Sequence, residues 1–60
     1  MSDLTELELQ NLRHLIVGYE LTQDKMQDYA QRAQDQQVKQ FFQKAAQSSQ
    51  QTKQQLMRFL

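Results

Sequence analysis

Apolar residues recur along this chain at steps of three and four, and that rhythm is interrupted once. Leu12, Leu15, Ile16, Tyr19, Met26, Ala30 and Ala33 share one face at 3.6 residues per turn, with Thr22 and Gln23 between them. Val38, Phe41, Phe42, Ala45, Ser49, Thr52, Leu56, Phe59 and Leu60 form a second stripe. Neither stretch keeps the alternation of a strand. Across Arg32-Ala33-Gln34-Asp35-Gln36-Gln37-Val38 the phase breaks. One unbroken helix is the competing reading, but it would carry its stripe onto a different face after residue 36. The spacing therefore predicts an all-α chain: a helix over about 5–33, a turn at about 34–36 and a helix over about 36–59, folded as an antiparallel hairpin.

Local chemistry supports those ends. Thr5-Glu6-Leu7-Glu8 has the form of a capping box, in which the Thr5 hydroxyl accepts from the Glu8 N–H and the Glu8 carboxylate reaches back. Leu4 and Leu9 then stand at the two staple positions. Glu6 and Glu8 suit the positive end of the helix dipole. Ser2 or Asp3 could start the helix a turn earlier. Asp35 is the expected N-cap of the second helix. No glycine is present there to supply a left-handed C-cap. The single glycine, Gly18, sits inside the first helix at a cost of about 1 kcal/mol relative to Ala. It reads as a tolerated surface glycine or as a point of close helix approach.

Once the turn is set, the cross-helix pairs follow. Met26 falls opposite Ala45, Tyr19 opposite Thr52, Ala30 near Phe41 and Leu12 near Phe59. Large meets small, as facing layers need to fill space. One seam leaves the far sides of Leu15, Phe41, Phe42 and Phe59 wet, and each such side chain gains about 1.5–3 kcal/mol on full burial. Two hairpins packed as a C2 four-helix bundle would cover them. The expected core of hairpin and dimer is thus Leu12, Leu15, Ile16, Tyr19, Met26, Val38, Phe41, Phe42, Ala45, Thr52, Leu56 and Phe59. Leu7, His14, Val17 and Leu21 make a weaker outer stripe on the first helix, read either as scattered surface residues or as a partner surface.

Composition narrows the function classes. With 60 residues the chain forms at most one domain, and one this small usually needs a staple. Cysteine is absent, so neither a disulfide nor a thiolate metal site can supply it, which leaves oligomerisation. Seven basic residues balance seven acidic ones. Zero net charge argues against phosphate-driven nucleic-acid binding and against a basic membrane-surface helix. No apolar run approaches the roughly 20 residues needed to cross a bilayer. The first six residues lack the form of a signal peptide, so a cytoplasmic protein is expected.

Candidate chemistry is sparse. His14 is the lone histidine, and the residue three before it is Asn11, so the Glu-x-x-His motif of di-iron bundles is missing. Glu20, Asp24 and Asp28 form an acidic ridge that could attract a cation but reads more simply as a solvated face balanced by Arg13, Lys25 or Arg32. Ser48, Ser49 and Thr52 read as small packing residues. Tyr19 and Tyr29 have no neighbouring base that the sequence identifies. No catalytic residue, cofactor or metal is expected.

The run Ala33-Gln34-Asp35-Gln36-Gln37-Val38-Lys39-Gln40-Phe41-Phe42-Gln43-Lys44-Ala45, continuing to Gln54-Gln55-Leu56-Met57-Arg58-Phe59-Leu60, resembles the spore coat F-like, ferritin-like hairpins of endospore-forming bacteria. The Leu12 to Tyr19 spacing is compatible with their first helix. The resemblance implies a small structural, spore-associated protein. Such hairpins often carry a His midway along the second helix, where this chain has Ser48-Ser49-Gln50. A ferritin-type activity is therefore not carried over. The alternative class is a binding module: an RNA-binding hairpin dimer of ROP-like architecture, or a protein adaptor docking through Leu7, Val17 and Leu21. Architecture alone links the chain to the former. An RNA-binding face would need converging basic residues, and here Arg13, Lys25 and Arg32 are interleaved with acids.

Overall fold

A computed structural model describes residues 4–60. Two helices lie side by side, α1 (Glu6–Arg32) and α2 (Gln36–Met57), with no strand among the described residues. The hairpin is a rod, 46 Å along its long axis and 14 by 10 Å across. Its radius of gyration is 14.2 Å, against about 10 Å for a compact domain of this length.

Both helix starts are those expected. Thr5 caps α1: its Oγ1 accepts from the Glu8 N–H at 3.1 Å, and the Thr5 N–H donates to Glu8 Oε1 at 3.0 Å. Leu4 and Leu9 are both half-buried beside that cap. Ser2 and Asp3 lie outside the described residues. Asp35 caps α2, its Oδ1 accepting from the Val38 N–H at 3.0 Å. Removing either side chain as Ala is expected to cost about 1 kcal/mol. Asp35→Ala should cost more than Thr5→Ala, because the outer end of a helix frays locally while the bend is shared by both helices. Urea titrations followed by helical circular dichroism check the order.

The bend occupies Ala33, Gln34 and Asp35. It needs no glycine, because no residue in it takes a positive φ. Ala33 (φ −70°, ψ 133°) and Asp35 (φ −76°, ψ 130°) are extended, and the Ala33 N–H still donates to the Tyr29 carbonyl. The far end of α2 departs from expectation. The helix stops at Met57, not near Phe59. The N–H groups of Arg58, Phe59 and Leu60 each donate to the carbonyl three residues back, at 3.3, 3.1 and 3.1 Å. This tightened last turn leaves Phe59 and Leu60 beyond α2.

The seam runs through Leu9, Leu12, Ile16, Tyr19, Gln23, Met26 and Ala30 of α1 and on to Ala33 at the bend. These are steps of alternating three and four, the seven-residue repeat of paired helices. Phe42, Ala45, Ala46, Ser49, Thr52, Lys53 and Leu56 face them from α2. Tyr29 packs edge-on against Phe42 with ring centroids 5.3 Å apart, and Lys53 Nζ meets Glu20 Oε2 at 3.4 Å. These two contacts hold the helices in the register that the pairing of Met26 with Ala45 and Tyr19 with Thr52 assumes. The tightest part of the seam is built of small residues. Ala30 and Ala46 are 5% exposed and Ser49 8%, and among the described residues no large side chain is fully buried.

Candidate interaction surfaces

Small residues at the closest approach bring the two backbones together and push the bulky side chains to the edges of the seam. Three surfaces result, and each can be placed by helix geometry.

The first is apolar and belongs to both helices. On α1, Leu15, Thr22 and Tyr29 are spaced seven apart and lie along one line. On α2, Phe41, Ser48 and Thr52 follow one another at seven and four residues and share one side, and Phe59 follows just past the end of α2. Phe41 stacks edge-on against Phe42 with centroids at 5.6 Å, and Phe42 in turn touches Tyr29. The two lines therefore border the seam on the same side. Phe41 is 66% exposed, Phe59 56% and Leu15 49%, and Val38 beside Phe41 is exposed as well.

The second surface is the reverse side. Gln27 and Gln43 are each two residues, or about 200°, from Tyr29 and Phe41, and so lie across the helix from them. Here Gln27, Gln31, Gln43, Gln47, Gln50 and Lys39 border an open groove of about 520 Å³ whose lining includes Ala30 and Ala46. Five of these six rim residues are glutamines. The third surface is the back of α1, where Leu7, Val17 and Leu21 are exposed and His14 is exposed among them.

Of the twelve residues expected in the core of hairpin and dimer, Leu12, Ile16, Tyr19, Met26, Phe42, Ala45, Thr52 and Leu56 come together in the seam. Leu15, Val38, Phe41 and Phe59 do not, and stand on the apolar side. The seam also takes in residues outside that set. Leu9 continues the seven-residue spacing from Leu12 and Ile16, a signal present in the sequence. Ala46 lies next to Ala45 and was legible only as part of a run of small residues. Lys53 had no such signal: its aliphatic stem covers the seam while its ammonium reaches Glu20, so its side chain is 22% exposed.

Two of the three residues of the acidic ridge form ion pairs. Glu20 meets Lys53 across the hairpin, and Asp28 meets Arg32 along α1 at 3.2 Å. Among the described residues no three metal-ligating side chains come together. A Cβ added at Gly18 would meet nothing within 4 Å, so this glycine is on the surface of the hairpin and not a point of close contact within it. No described helix is long and apolar enough to cross a membrane. No family model, curated protein or solved structure matches the chain, so the spore coat F-like resemblance rests on the residues quoted above.

Proposed function

We propose that the chain is a small non-catalytic structural or interaction protein that works as a homodimer, two hairpins forming one four-helix bundle. The observation that carries this reading is the shortage of core within a single copy. The best-buried residues are two alanines and a serine, while ten large apolar side chains are exposed among the described residues. Isolated helices in water draw most of their stability from packing an amphipathic face, and one seam whose large side chains are all only partly buried supplies little of it. A second copy is the simplest source of the missing contacts, and a C2 pair is the commonest closed arrangement.

The charges favour an interaction role over nucleic-acid binding. Arg32 and Lys53 are engaged by Asp28 and Glu20, and the formal net charge is zero. Protein-adaptor activity is the second reading, favoured by the exposure of Leu7, Val17 and Leu21 on the back of α1. Sedimentation equilibrium at micromolar concentration tests the first reading. A mass of twice the chain with strong helical dichroism is expected; a folded monomer overturns it.

A further inference from the structure

We infer that the second copy seats on the side bearing Leu15, Tyr29, Phe41 and Phe59, and that it does so antiparallel, the bend of one hairpin lying over the open end of the other. The inference rests on the dimer reading above and adds to it the face and the orientation.

The area argues for a second copy as the occupant. The chain exposes 5044 Å². A compact monomer of 7.2 kDa would expose about 4100 Å² by size scaling, leaving an excess of roughly 900 Å². A standard protein interface covers about 800 Å² on each partner. Among the described residues, the apolar side offers the most large exposed side chains, drawn from both arms and spread over most of the length of the rod. The outer stripe lies on one helix and spans Leu7 to Leu21 alone, and the reverse side is lined by glutamines.

Symmetry argues for the orientation. A twofold contact requires that if residue i meets residue j, then j meets i. On α1 the bulky Leu15 and Tyr29 lie seven residues to either side of Thr22. Along the second arm the bulky Phe41, on α2, and Phe59, in the turn just past it, lie nine residues to either side of Gln50. The Glu20–Lys53 and Tyr29–Phe42 contacts put Thr22 and Gln50 at the same height in the rod. The two helices thus share one centre independently, with large residues at both ends of the face and Thr22, Ser48 and Thr52 in the middle. A twofold axis across the rod at that height sets Leu15 over the partner's Tyr29 and Phe41 over the partner's Phe59. An axis along the rod would instead crowd both copies' Tyr29, Val38 and Phe41 at the bend.

The chain has no cysteine, so Gln34→Cys gives one spin-label site, at the bend. Gln34 is twelve residues from Thr22, so two labels in the antiparallel pair stand about 36 Å apart along the axis at 1.5 Å per residue. With both bends at one end they would stand within roughly 20 Å, about two interhelix spacings. Pulsed electron–electron distances near 36–40 Å in a sample that sediments as a dimer are expected. A short distance in a dimer overturns the orientation and leaves the dimer reading intact; a monomer overturns both. The face is checked separately in the unlabelled chain. Leu15→Glu should shift the protein to monomer, and Val17→Glu with Leu21→Glu should leave the dimer mass unchanged. The reverse result places the interface on the outer stripe.

Discussion

Replacing Phe41 with glutamate is expected to dissociate the proposed dimer and remove much of its helical signal at micromolar concentration. The Phe41 ring is two-thirds exposed in the single hairpin, so the substitution takes little from the seam itself. What it takes is burial against the second copy. A phenylalanine gains about 1.5–3 kcal/mol on full burial. Two copies per dimer make this about 3–6 kcal/mol, or two to four decades in the dissociation constant. The uncompensated carboxylate placed in the interface adds to the loss. Sedimentation over a concentration series, read beside dichroism, checks it. An unchanged association constant would mean that Phe41 faces water in the assembled protein.

Ala46→Leu is expected to destabilise each chain by about 1–3 kcal/mol through overpacking. Ala46 is 5% exposed in the seam, where a longer side chain pushes α1 away unless it turns out into the neighbouring groove. Displacing α1 also shifts Tyr29 away from Phe42 and spoils the apolar side. Gln51→Leu, an exposed position on the same helix, should stay within about 0.5 kcal/mol. Urea midpoints for the two variants separate a seam packed around small residues from one with room to spare.

How legible these features were in the sequence depends on the range of the interaction. The Thr5 and Asp35 caps are decided within four residues, and both were readable. The bend could be placed because the phase of the stripes breaks there, and the cross-helix register followed from the bend. The stripe on α2 is wider than one seam, however. Periodicity groups Phe41 and Phe59 with Phe42 and Leu56, yet only the second pair turns inward. That division is set by how closely the backbones approach, which depends on Ala30, Ala46 and Ser49 acting together across the hairpin. The early stop of α2 had no glycine or proline to announce it. Lys53 was legible as a charge and not as a cover for the seam. The interaction surfaces could be listed from spacing, but which of them faces a partner could not, because a helix wheel gives no account of the second helix's position.

The bend carries one more consequence. Ala33 and Asp35 already have φ values close to those of a helix, and only ψ separates them from it. Straightening Ala33 and Asp35 therefore needs rotation about single bonds through backbone regions open to any L-residue, together with release of the Asp35 cap. A chain hinged in this way has the geometry for domain exchange, in which α2 of each copy docks on α1 of the other and the same seam is rebuilt between molecules.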